Sequence, residues 1–202
     1  MTIRVLMADD QALVRGAIAA LLDLEPDIEV VAEVARGDEV LDACERHAVD
    51  VAVLDVQMPG LTGIEATGVL RRHLPDVRVL IVTTFGRPGF LRRAMQAGAD
   101  GFFVKDTPAR QLAEAVRRVA AGEQVVDPAL AADSMLVGES PLTPREVEVL
   151  SRSLSGATVA RIAQQLQLSE GTVRNHLSSA IGKTGAATRA EAARIADDNG
   201  WL

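Results

Sequence analysis

The sequence predicts a doubly wound α/β domain over residues 1–121, a linker over 122–141 and an all-α domain over 142–202. Three observations lead there. Apolar β-type runs alternate with helix-spaced segments through residue 105, an acidic Gly- and Pro-broken stretch follows residue 121, and only helical patterns follow Thr143. A chain of 202 residues is long for one small domain and comfortable for two. Hydrophobic residues make up 48% and aromatics 2%, so the cores must be built from Val, Leu, Ile and Ala.

The five β-type runs are residues 4–8, 28–34, 50–54, 77–82 and 101–104. Between them Leu13, Val14, Ala17, Ile18, Leu21 and Leu22, and later Leu112, Ala115, Val116 and Val119, recur at helical spacing. Strands alternating with helices imply right-handed βαβ units, hence a five-stranded parallel sheet with helices on both faces. Pro59-Gly60, Pro75-Asp76, Gly98 and Gly101 punctuate the joins. Within the linker, a short helix is expected near 128–135. In Leu142-Thr143-Pro144-Arg145-Glu146, Thr143 can cap a helix, Pro144 fits its first position, and Glu146 completes a capping box worth about 1 kcal/mol. Gly156, Leu168-Ser169 and Gly185 divide the rest into four helices.

Net charge is −7, but it is unevenly spread. Residues 1–121 carry 14 Lys+Arg against 18 Asp+Glu, residues 122–141 carry four acids and no base, and residues 142–202 carry 7 against 6. Any affinity for DNA must therefore come from a few placed cations. No apolar run nears the ~20 residues of a membrane helix, and the start lacks a signal-peptide layout. Cys44 is the only cysteine, so no internal disulfide can form, and a cytoplasmic protein without membrane contact is expected. His47, His73 and His176 show no metal-ligand spacing.

In an open α/β sheet, ligands bind beyond the carboxyl ends of the strands. The residues found there are Asp9-Asp10, Ala35, Asp55, Thr83-Thr84 and Lys105. Only the second strand delivers nothing ionisable or hydroxylic, and the order 2-1-3-4-5 places that strand at the margin. Three neighbouring carboxylates repel unless a divalent cation holds them ionised, and oxygen-only ligands suit Mg²⁺. Asp55 could then attack a phosphoryl donor, with Lys105 and Thr83 contacting the transferred group.

Asp9-Asp10, Asp55 followed by Met58-Pro59-Gly60, Thr83-Thr84 and Lys105-Asp106 resemble the receiver domains of bacterial response regulators. The resemblance covers residues 3–121. It implies a sensor histidine kinase as donor, with Asp55 as phosphoacceptor. It also implies Mg²⁺ held by Asp10, Asp55 and the Gln57 carbonyl, with Asp9 acting through water, and a switch pair of Thr83 and Phe102. The segment Thr83-Thr-Phe-Gly-Arg-Pro-Gly-Phe-Leu-Arg-Arg-Ala94 is similar to regulators of membrane lipid desaturation. Aspartyl phosphatases share the nucleophile but generally need a second acid two residues on, where this chain has Gln57. No Walker loop, Gly-x-Gly-x-x-Gly or nucleophile elbow is present.

Residues 142–202 resemble the LuxR-type helix-turn-helix, which gives the NarL/FixJ class overall. The matching stretches are Leu142–Leu150, Ile162-Ala163-Gln-Gln-Leu166, Ser169-Glu-Gly-Thr-Val-Arg-Asn-His176, Ile181, Lys183 and Arg189. Two departures stand out: Val159-Ala160-Arg161 where the family usually has Asn-x-Glu, and Thr184 where Leu is usual. The resemblance places Arg174, Asn175 and Ser178 against base edges, and Thr172, His176 and Lys183 against phosphates, with Ser169 capping the recognition helix at the DNA. It implies a phosphorylation-dependent transcription factor rather than a turnover enzyme, in which phosphoryl-Asp55 promotes dimerisation and binding to two DNA half-sites. Val14 and Ile18, with the helix at 108–121, are candidates for the dimer surface; the alternative is that the first helix is deeply buried, its wide apolar arc packed in the core.

Overall fold

The computed structural model describes residues 2–84, 86–136 and 140–202; Phe85 and residues 137–139 of the expected linker lie outside the described residues. The chain forms two compact units, one carrying every described strand and the other the last four helices.

The first unit is a parallel sheet in the order β2-β1-β3-β4-β5-β6. Its strands are β1 (Ile3–Ala8), β2 (Ile28–Val34), β3 (Val51–Leu54), β4 (Arg78–Thr83), β5 (Gly101–Val104) and β6 (Val125–Val126). Five of them follow the apolar runs of the sequence. Residues 5–8 of β1 and 51–54 of β3 have no exposed surface, as expected of parallel strands covered on both faces. The crossovers are α1 (Ala12–Asp23), α2 (Val40–His47), α3 (Gly63–His73), α4 (Pro88–Ala97) and α5 (Ala109–Ala120). Below one face, Val5, Met7, Val53, Leu80 and Val82 pack with Ile18 and Leu22 of α1 and Leu112, Val116 and Val119 of α5.

The sixth strand corrects the five-stranded expectation. Gly122, at φ +86, turns the chain back after α5, and Val125 N donates to Asp100 O at 2.9 Å while Asp127 N donates to Phe102 O at 3.0 Å. The stretch expected as linker thus adds an edge strand and then α6 (Pro128–Leu136), where the short helix was expected. Asp127 caps α6, its Oδ1 accepting from Ala129 N at 2.8 Å. Leu130, in the first turn of α6, is buried.

A second correction concerns α1. Ile18 belongs to the core and is not free for a partner, as the buried-helix alternative has it, whereas Val14 is half-buried against that core. Helical spacing identifies an apolar stripe but not which part of a wide stripe faces the sheet. The large exposed hydrophobic residues of this region are Leu13, Leu21 and Leu24, at 86%, 46% and 78% exposure.

The second unit comprises α7 (Pro144–Leu154), α8 (Val159–Leu166), α9 (Glu170–Thr184) and α10 (Arg189–Asp198). Thr143, Thr158, Ser169 and Thr188 cap them, each side chain accepting from the backbone N–H three residues on. Gln167, at φ +54, makes the tight left-handed turn between α8 and α9. Val149, Leu150, Ile162, Val173, Ala180, Ala192 and Ala196 are fully buried between the helices. The unusual Val159 packs against this core, and the Thr184 hydroxyl donates to Ala180 O at 2.9 Å, so α9 runs through it to the Gly185 cap.

Candidate phosphoacceptor pocket and nucleic-acid interface

Sheet register brings the first site together. Ala8 pairs with Leu54, Leu54 with Ile81, and Thr83 with Val104, so β1, β3, β4 and β5 end side by side. The ladder runs one residue further, with Asp55 N donating to Ala8 O and Lys105 N to Thr83 O, each at 2.8 Å. Asp9, Asp55, Thr83 and Lys105 are thereby set on one rim. Asp9, Asp55 and Thr83 are buried, Asp10 is exposed, and the Lys105 side chain keeps 9% exposure.

Asp9, Asp10 and Asp55 can each offer a carboxylate oxygen with all three within 4.8 Å of one another. Lys105 Nζ lies 2.7 Å from Asp9 Oδ2 and 3.3 Å from Asp55 Oδ2. Asp55 Oδ1 accepts from Val56 N at 2.8 Å. Burial pushes the Asp55 carboxyl above its ordinary value; Lys105 opposes this, while the Asp9 charge adds to it. One ammonium against three acids leaves net negative charge in a mostly buried place. All the donors are oxygens, the ligand chemistry of a hard divalent cation, so the residues fit Mg²⁺.

Gln57 lies exposed two residues past Asp55. Phe102 has no exposed surface; it alternates with Phe103, which points into the cluster between the sheet, α1 and α5. Sequence reasoning missed Arg15, whose Nη1 donates to the Asp9 carbonyl at 2.6 Å. The available signal was its position, one cation within the otherwise apolar body of α1.

The second site is α9. Val173, Leu177 and Ala180 face the core, which leaves Arg174, Asn175 and Ser178 exposed on the opposite side, with Ser179 exposed at the flank and Thr172 and His176 half-buried. Ser169 Oγ accepts from Thr172 N at 3.1 Å and caps the exposed end of this helix. Arg174 is paired with Glu170 one turn back, Nη2 to Oε2 at 2.6 Å. Lys183 is tied inward, donating to Glu146 Oε2 at 2.8 Å, and Ser179 Oγ donates to Glu146 Oε1 at 2.7 Å.

Comparison with known proteins identifies both domains. Residues 5–117 match the response regulator receiver domain family, over half of the chain. The chain is a response regulator. Residues 140–196 match the luxR family of bacterial regulatory proteins, so this response regulator joins a receiver to a LuxR-type DNA-binding domain. It is 40% identical over 200 residues to the uncharacterised transcriptional regulatory protein YvfU of Bacillus subtilis (strain 168), covering 99% of this chain and 100% of that one. It is 38% identical over 200 residues to the transcriptional regulatory protein DesR of the same organism, covering 99% of each. Among solved structures, the response regulator ChrA of a heme-sensing two-component system is 33% identical, covers 100% of this chain and 99% of its own, and superposes with a TM-score of 0.62. Relatives of this response regulator are thus transcriptional regulators, and no described helix is long and apolar enough to cross a membrane.

Proposed function

We propose that this response regulator is a cytoplasmic transcription factor switched by phosphorylation of Asp55, with residues 1–121 as the switch and 142–202 as the reader of double-stranded DNA. The observation that carries the reading is Lys105 lying between Asp9 and Asp55 at the strand ends, with Asp10 completing the acidic cluster. Asp9, Asp10, Asp55 and the Gln57 carbonyl would hold Mg²⁺, which neutralises the acids and the incoming phosphoryl oxygens. An Asp55 carboxylate oxygen attacks the phosphorus of a histidine-kinase phosphohistidine. The N–P bond breaks, the electron pair returns to the imidazole, and an acyl phosphate forms. Lys105 offers charge and Thr83 a hydroxyl to the new phosphoryl oxygens. Thr83 and the Phe102 ring are the switch pair.

The phosphorylated form then dimerises and binds paired half-sites. Leu13, Leu21 and Leu24 supply the exposed apolar surface for that dimer, in place of Val14 and Ile18. On DNA, Arg174, Asn175 and Ser178 read base edges, while Ser169, Thr172 and His176 meet phosphates; Lys183, first expected at a phosphate, is instead engaged by Glu146. The test is phosphorylation by acetyl phosphate with Mg²⁺, read by intact mass, size exclusion and selection of bound sequences from random DNA. A phosphoryl adduct that survives Asp55→Asn refutes the switch, and an adduct without dimerisation refutes the coupling to DNA.

A further inference from the structure

We propose that Arg15 is a positioning residue for the acidic pocket, holding the turn after β1 in the shape that presents Asp9 and Asp10 to a divalent cation. The proposal rests on the reading of that pocket as a Mg²⁺-dependent phosphoacceptor site. The β1 ladder ends at Ala8, whose carbonyl accepts from Asp55 N. The Asp9 carbonyl lies beyond the ladder and needs a donor of its own. Arg15 Nη1 supplies it at 2.6 Å, reaching back from the second turn of α1. The same guanidinium lies 3.3 Å from Glu33 Oε2 through Nε, near the end of β2. Its side chain is 18% exposed against 45% for Glu33, so the fork is mostly enclosed.

The consequence is local geometry. Asp9 is held at its N–H by Val34 O at 3.2 Å and at its carbonyl by Arg15. Its Oδ1 accepts from Gln11 N at 2.9 Å, and its Oδ2 meets Lys105. Fixing the carbonyl fixes the peptide plane between Asp9 and Asp10, and with it the direction in which the exposed Asp10 carboxylate leaves the backbone. Glu33 anchors the guanidinium from behind and offsets its charge. Partners that orient metal ligands in this way contribute to affinity without touching the ion.

The sign of the effect separates positioning from bulk electrostatics. A cation beside a cation site weakens metal binding, so charge alone predicts tighter Mg²⁺ binding in Arg15→Met and no change in Arg15→Lys. Positioning predicts the reverse: Arg15→Met loses roughly tenfold in Mg²⁺ affinity, the low end for such partners. Arg15→Lys, which keeps the charge but cannot bridge the carbonyl and Glu33 together, loses less. The measurement is Mg²⁺ titration calorimetry on the unphosphorylated full chain, with circular dichroism confirming fold; Arg15→Lys carries the test if Arg15→Met is unstable. Unchanged or tighter binding in Arg15→Lys overturns the proposal while leaving the pocket reading intact. A wild-type chain that binds no Mg²⁺ overturns both.

Discussion

Lys183 and Glu146 form an ion pair that closes the helical domain from the far end of α9 to the first turn of α7, Nζ to Oε2 at 2.8 Å. The carboxylate keeps 5% side-chain exposure and the lysine 34%. Glu146 therefore does more than complete the capping box with Thr143: its two oxygens also take Ser179 and Lys183. Removing it leaves an ammonium, a hydroxyl and the Thr143 backbone N–H without their acceptor. Glu146→Ala is expected to cost about 3 kcal/mol, the low end for breaking a buried pair because the lysine is partly solvated. Urea denaturation of the full chain, followed in the helical domain by Trp201 fluorescence, checks this.

The same carboxylate sets an acid limit. Burial would raise its pKa, but the hydrogen bonds from Lys183, Thr143 and Ser179 outweigh that and bring it down to about 2 from an ordinary value of 4.5. The folded state thus binds this proton more weakly than the unfolded chain. Its stabilising contribution is complete above pH 4.5 and is lost as pH falls toward 2. The stability gap between wild type and Glu146→Gln should shrink across that window; a gap independent of pH would refute the assignment.

Asp55 has the opposite sign. Burial raises its pKa in the folded protein, so the ionised carboxylate costs stability once pH rises above the unfolded value of 3.8. Without divalent cation, Asp55→Asn should melt higher than wild type at pH 7, each 1 kcal/mol relieved appearing as roughly 4 °C. Saturating Mg²⁺ should reverse the order, because a ligand that binds only the folded state stabilises it by mass action and the Asn variant has lost one anionic ligand. Scanning calorimetry of both proteins with and without Mg²⁺ reads the crossover.

Leu130 of α6 lies against the bare backbone of Gly86. A Cβ built there would meet Leu130 Cδ2 at 2.2 Å and Val104 Cγ1 at 2.9 Å. Gly86 follows Thr83 by three residues and Val104 directly precedes Lys105, so the first turn of α6 rests on segments adjoining two pocket residues. Leu130→Ala should cost about 2 kcal/mol at this short helix end and raise amide exchange there roughly thirtyfold. Hydrogen exchange of residues 129–132 against β1 and β3 as internal controls decides it.

What the sequence made legible follows from where the ordering energy comes from. β1 and β3 are buried on both faces and read as unbroken apolar runs, and the pocket acids follow from the parallel topology because strand ends are also chain positions. β6 was invisible because two valines in an acidic stretch have no pattern of their own; pairing with β5 creates the strand. The sequence leaves Ile18 open between core and dimer surface because an apolar stripe wider than the core needs does not say which edge is buried. Arg15 and the Lys183 partner were missed for a third reason. Each depends on a hydrogen bond whose acceptor is found only after the chain has turned back, whether by 6 residues or by 37.

Arg174 and Lys183 should separate cleanly in DNA binding. Arg174 is exposed on the outer face of α9 and is paired with Glu170, 2.6 Å away on the same helix, side chains 63% and 49% exposed. Such a surface pair is weak, so its guanidinium is available to a base at little cost. Lys183 instead has its charge neutralised by a buried acid. Arg174→Ala should therefore weaken selected over random DNA by about 1–3 kcal/mol and relax preference at one base position. Lys183→Met should act mainly through lost stability of the helical domain, with a salt slope of binding changed by less than the roughly one unit expected for a free phosphate contact. Fluorescence anisotropy over a salt series, with selected and random duplexes, distinguishes the two. Equal loss on both duplexes for Arg174→Ala would remove it from base reading.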